Sequence, residues 1–103
     1  MLERFRLDLL RDLRTDLPEQ ARPHSDRHLL QIIDDGVLRA RHYGVTTARD
    51  ATLFIYLTVM HSVRFEDKPA MAWAKKILLK PDMEGEAKMS LVWQMAAARS
   101  KSA

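Results

Sequence analysis

His24 and His28, four residues apart, come nearest in type and spacing to a set that does chemistry. Imidazoles at that separation share a zinc ion when both stand on one helix face. Ser25 lies between them, however, and a serine there caps a helix that begins after His24, leaving only His28 helical. No glutamate separates the two, as a metalloprotease motif requires, and no third ligand accompanies them. His28, Asp35 and His42 share the outer face of one helix, yet seven residues advance a helix by about 10 Å, too far for one ion to join them. No metal and no cofactor is expected.

The carboxylates and hydroxyls are no closer to a catalytic set. Asp34 and Asp35 are neighbours on a helix and diverge by about 100 degrees, so they do not converge on one proton. Glu66 and Asp67 fall in an expected loop, where Asp67 reads as a turn or cap residue ahead of Pro69. Ser62 follows His61, but helix neighbours point apart, and no third group or oxyanion-hole loop accompanies them. The chain has no cysteine and three glycines, which removes disulfides, thiolate sites and a glycine-rich phosphate loop. We expect no enzyme, no catalytic residue and no small-molecule ligand.

The elements that carry these residues are helices. Gly44 can end one helix in the left-handed conformation, and Thr47 with Asp50 three residues on can cap the next. The run Ala51 to Val63 beyond that corner, in a third helix from Ala48 to about Arg64, is apolar around much of its circumference, as in a helix at the centre of a bundle. Its expected inner face holds Leu53, Ile55, Tyr56, Val59, Met60 and Val63, and its opposite stripe Asp50, Phe54, Leu57, Thr58 and His61. Before it, Leu2, Phe5, Leu9, Leu13 and Leu17 line one stripe of a first helix near Leu2 to Leu17. Glu19 to His24 reads as a linker. Ser25 then caps a second helix whose inner arc holds Leu29, Ile32, Ile33, Val37, Ala40 and Tyr43. Gly36 falls inside that arc, where it costs about 1 kcal/mol against alanine unless another backbone approaches closely. Pro69 opens a short helix with Ala70, Trp73, Ala74, Ile77 and Leu78 inward, and Pro81 stops it. A last helix runs from about Asp82 toward Arg99 over Ala87, Leu91, Val92 and Met95. The expectation is an all-α, compact bundle of about five short helices around a buried third one.

A chain of 103 residues, 47% hydrophobic and 30% charged, makes one helical domain, expected over residues 1–99 with a frayed tail at 100–103. No apolar stretch reaches the roughly 18 residues of a membrane span. The first residues run straight into alternating charge, so no signal peptide is expected, and the lack of cysteine fits a cytoplasmic setting. The net charge is +3, with the surplus at Lys68, Lys75, Lys76 and Lys80. Acids interleave elsewhere, whereas a nucleic-acid face gathers basic residues without them. Ala40 to Phe54 has the outline of a helix-turn-helix, but its second helix offers Leu53, Phe54, Ile55, Tyr56 and Leu57 where base-reading side chains belong. A DNA-binding regulator is the most distant alternative.

Protein binding accounts best for what the helices leave outward. Phe54 and Leu57 on the polar stripe, with Phe65 in the following loop and Leu38, would be apolar anchors rimmed by Arg64, His61 and Asp50. Leu38 stands alone on the outer face of the second helix. The competing reading is that a neighbouring helix covers the anchors. Trp93 is open to the same two readings.

A family resemblance attaches to several of these segments. Pro18-Glu19-Gln20, the Ser25-Asp26-Arg27 helix start, the stretch from Arg39 through Tyr43-Gly44-Val45 to Asp50, and Trp73-Ala74 before Ile77-Leu78 resemble small bacterial helical proteins encoded beside type VI secretion spike and effector genes. The resemblance spans Leu10 to Leu79. It departs at Met60 to Asp67, where such proteins commonly have an acidic, glycine-containing turn. The resemblance implies an accessory role: an adaptor or co-chaperone holding an effector, or its dedicated chaperone, before loading onto the spike. The alternative it leaves is an immunity protein that neutralises a cognate toxin.

Overall fold

A computed structural model describes residues 2–61 and 64–101. Ser62 and Val63, read above as the neighbour of His61 and as a core position, lie outside the described residues, as do Met1, Ser102 and Ala103. The described residues are helical with no strand, and their elements are α1 (Leu2–Asp16), α2 (Pro18–Ala21), α3 (Asp26–His42), α4 (Ala48–His61), α5 (Ala72–Leu78) and α6 (Gly85–Lys101). Single 3-10 turns at Phe65–Asp67 and Pro69–Met71 lead into α5. The extents of 34 × 33 × 18 Å correspond to two packed helix layers.

Each boundary has a local cause. Ser25 caps α3 by accepting the His28 backbone N–H at 3.1 Å. At the other end Gly44 adopts φ +80°, and the N–H groups of Gly44 and Val45 close onto the carbonyls of Arg41 and Ala40. That is a Schellman stop, with Val45 and Ala40 packed into one core cluster. Thr47 Oγ1 accepts the Asp50 N–H at 3.2 Å and donates to the Asp50 carboxylate at 2.8 Å, starting α4. The expected linker after α1 differs: Pro18 opens the single turn α2, which buries Ala21. Arg14 fixes this turn by donating to the carbonyls of Ala21 and His24 and pairing with Asp26. At the far end α6 continues to Lys101, two residues into the stretch expected to fray.

α4 is the central helix, and it is buried on both sides. Ile55 packs with Leu9, Leu13 and Ile33 of α1 and α3. Phe54 and Leu57 face the other way, into a cluster with Phe65, Ala74, Leu78, Met89 and Val92 from the α5–α6 side. This corrects the expected inner and outer stripes: Phe54 and Leu57 are 0% and 1% exposed, whereas Met60 is 42% exposed. Two of the polar residues that made the stripe look outward, Asp50 and Thr58, are satisfied by α4 and its cap. Asp50 is held by the Thr47 cap, and the buried Thr58 hydroxyl donates to the Phe54 carbonyl at 3.1 Å.

Three smaller corrections concern packing. Gly36 is tight against a side chain, not a backbone: a Cβ there would stand 2.7 Å from Ile55 Cγ1. In α6 the buried positions are Lys88, Met89 and Val92, with Ala87 exposed. Ala70 is exposed as well.

Lys88 explains how α6 binds to the rest. Its buried ammonium donates to the carbonyl oxygens of Tyr43 and Leu78, each at 2.8 Å. These carbonyls lie at the C-terminal ends of α3 and α5, where helix dipoles favour a cation and orphan acceptors need a donor. One lysine thus caps two helices.

Candidate functional site

The residues expected to form a partner surface do not come together as one. Phe54, Leu57 and Phe65 are core residues, the rings of Phe54 and Phe65 lying 5.2 Å apart. They are anchors of the fold, covered by α5 and α6, and the reading of them as exposed partner anchors is corrected. His61 is exposed and borders a small crevice of about 170 Å³ with Met60, Trp93 and Ala96, between α4 and α6. Partial desolvation of the ring at this crevice and the charge of Lys68 lower its pKa below the ordinary histidine value. Arg64 is exposed and belongs to a different cleft.

That second cleft, of about 240 Å³, runs between α3, the Phe65–Asp67 turn and α5. Arg39, His42 and Tyr43 form its α3 wall, Lys75 and Leu79 its α5 wall, and Glu66 lies among them. Glu66 is fully buried, a fate its place in an expected loop did not announce. Its carboxylate pairs with the Arg39 guanidinium and accepts the Tyr43 hydroxyl at 3.1 Å. Arg39 also lies over the Phe54 ring, 5.5 Å from its centroid, and contacts Asp35 at 3.5 Å. Burial, then the Glu66 charge and hydrogen bond, push the Tyr43 hydroxyl up to about 12.

At the rim, Asp67 accepts from Lys75 at 2.6 Å and from Arg64 at 2.8 Å, and these bonds hold its carboxyl below the usual range. Arg64 reaches Asp67 from a left-handed backbone conformation, φ +62°, which costs a non-glycine residue roughly 1 kcal/mol.

Leu79 of this cleft stands in solvent, and so does Leu38, one turn along α3 from His42 of the cleft wall. Leu38 is 63% exposed and Leu79 56% exposed, more than any other large hydrophobic side chain described. Leu38 stands one turn before Arg41 and His42, on the crest of α3. On the other side of that crest lies a groove of about 370 Å³ bordered by Phe5, Val37, Arg41, Ala48 and Ala51. The outward leucine of α3 was legible in the sequence. Leu79 was not, because a leucine directly after Ile77-Leu78 reads as more of the same core stripe.

The chemistry-bearing residues are dispersed. Asp34 turns to Arg6 of α1 at 2.7 Å while Asp35 turns to Arg39, so the adjacent carboxylates do diverge. His24 and His28 bring their Nδ1 atoms within 2.9 Å, closer than the interruption at Ser25 suggested. Among the described residues no group of three or more histidines and acids is placed to hold a metal ion. No described helix is long and apolar enough to cross a membrane.

No known protein family, no characterised protein and no solved structure matches this chain.

Proposed function

We propose that this protein is a non-catalytic, cytoplasmic protein-binding accessory, an adaptor or co-chaperone for a type VI secretion effector or for that effector's dedicated chaperone. The observation that carries the binding reading is a pair of solvent-exposed leucines, Leu79 in the wall of a cleft whose side chains are fixed by ion pairs and Leu38 one turn along α3 from that cleft's His42. Exposed apolar anchors beside preorganised polar groups are how a surface gains affinity without losing much side-chain entropy on binding. The strained backbone of Arg64 at the same rim supports it, since such strain clusters at functional surfaces. The link to secretion rests on the resemblance of the Pro18, Gly44 corner and Trp73 segments.

The test pairs a binding measurement with a deletion. Tagged chain captures its partner from its host, and a Leu38→Ser/Leu79→Ser variant keeps its helical circular dichroism but loses that partner. Deletion of an adaptor stops export or accumulation of one effector and leaves the producer healthy. Self-intoxication, rescued by inactivating a neighbouring toxin, replaces the adaptor reading with the immunity one. Retention of the partner by the double-serine variant overturns the surface.

A further inference from the structure

We infer that His24 and His28 form a binding site for a divalent transition metal ion of the copper(II) or nickel(II) class, one that clips the α2 turn to the start of α3. The structure brings the two Nδ1 atoms within 2.9 Å of each other, with the ring planes 73° apart. Two imidazole nitrogens bound about 2.0–2.1 Å from one ion stand roughly 3.3 Å apart at the tetrahedral angle and roughly 2.9 Å apart at a right angle. The observed spacing is that of neighbouring ligands in a square-planar or octahedral shell, the shell that copper(II) and nickel(II) take with nitrogen and oxygen donors. In the metal-free chain the same spacing is bridged by a proton, one Nδ1–H donating to the other Nδ1. Moving that proton to Nε2 of its own ring keeps both imidazoles neutral and gives both Nδ1 lone pairs to the ion.

Backbone bonds hold both ligands in place. His24 donates its N–H to the Ala21 carbonyl at 3.0 Å, and its own carbonyl accepts from Arg14 Nη2 at 2.8 Å. Arg14 is anchored in turn by Asp26 at 2.7 Å. The His28 N–H is bonded to Ser25 Oγ. An ion therefore meets a backbone already ordered on each side of Ser25, and binding has little beyond two side-chain rotamers left to fix. No third histidine or acid joins the pair among the described residues, and His28 is exposed, so water fills the remaining positions of the ion. A structural zinc, which takes four protein ligands in a tetrahedron, is not what such a pair holds. The ion ties the residue before Ser25 to the first turn of α3, and by binding the folded chain it raises stability by mass action. His24 and His28 border none of the concavities described above, so the inference is independent of the partner surface.

The test titrates copper(II) and nickel(II) salts into the untagged full chain at neutral pH. The expected result is saturable binding of one ion per chain, two imidazole nitrogens in the copper electron paramagnetic resonance spectrum, and a melting midpoint that rises with metal concentration. His24→Gln and His28→Gln, each folded by circular dichroism, bind about tenfold or more weakly, since each removes one arm of the chelate. His42→Gln/His61→Gln, which changes the other two histidines of the chain, binds as the parent does. In the isotopically labelled parent, paramagnetic broadening by copper centres on the amides of His24 to His28. Unchanged binding in the His24→Gln and His28→Gln chains overturns the inference, as does an equal loss in the His42→Gln/His61→Gln chain. Broadening centred elsewhere, or a copper spectrum with a single imidazole nitrogen, overturns the two-nitrogen site in the parent itself. Zinc bound more tightly than nickel overturns the right-angled shell.

Discussion

A Cβ on Gly85 would stand 2.3 Å from the carbonyl oxygen of Gly44. The first residue of α6 therefore lies directly on the α3–α4 corner, and the sequence meets that approach with glycine on both sides. Alanine is the better helix former by about 1 kcal/mol, so on propensity alone Gly85→Ala stabilises the chain. Contact with backbone reverses the sign, because neither partner can rotate away. The expected outcome of thermal and urea unfolding is a loss of about 1 kcal/mol or more, the usual cost of overpacking. A raised midpoint would show that α6 starts clear of the corner.

Lys88 holds the same junction from within. Lys88→Met keeps the length of the stem but leaves the Tyr43 and Leu78 carbonyls without their donor. A buried acceptor left unpaired costs about 1–3 kcal/mol, so the variant loses roughly that amount in urea titration. Hydrogen exchange accelerates first at the ends of α3 and α5. Unchanged exchange there would mean that water replaces the ammonium without penalty.

What the sequence could reveal divides along lines of locality. Ser25, Gly44 and the Thr47–Asp50 cap act within a few residues, and each was legible because its chemistry is local. The faces of α4 were not, since a helix covered on both sides has no apolar stripe to read; Asp50 and Thr58, satisfied by their own helix, gave it a false outer face. The Arg39–Glu66 pair joins residues 27 apart. No spacing rule reaches that far, and a glutamate in a turn reads as solvated until the fold closes over it.

That pair invites a double-mutant cycle. Glu66→Leu leaves Arg39 largely buried with only the more distant Asp35 to compensate it, and uncovering a buried charge in this way costs about 3 kcal/mol or more. Arg39→Met leaves Glu66 equally stranded, with the Tyr43 hydroxyl alone. Removing both takes away the two charges together, so the double variant is less destabilised than the sum of the singles. Strict additivity in chemical unfolding would show that the two side chains do not pair.

Tyr43 links the cleft to alkaline stability. The fold raises its pKa to about 12, against an unfolded value near 10. Between those values the folded chain binds more protons than the unfolded one, so its contribution is full below about pH 10 and is lost as pH rises through about 12. Tyr56 shifts in the same direction, through burial and its 2.6 Å bond to Asp16. Phenolate absorbance on alkaline titration therefore stays low through the ordinary tyrosine range. Tyr43→Phe removes the step near 12 and flattens the alkaline limb of the stability curve. A tyrosine ionising near 10 in the folded protein would contradict the bond to Glu66.

The burial of α4 on both sides gives the sharpest contrast between two apolar residues of one helix. Phe54→Ser or Leu57→Ser removes a side chain from the cluster that joins α4 to α5 and α6 and puts a hydroxyl in its place. Truncation of such residues to alanine already costs about 2–5 kcal/mol, and the buried hydroxyl adds to it. Met60→Asp, three residues from Leu57, changes a side chain that is 42% exposed beside the exposed His61. It is expected to cost under about 1 kcal/mol, as surface substitutions do. Circular dichroism during heating checks the pair directly: the serine variants melt far below the parent or fail to fold, while Met60→Asp melts close to it. The reverse order would return Phe54 and Leu57 to the surface and place Met60 in the core.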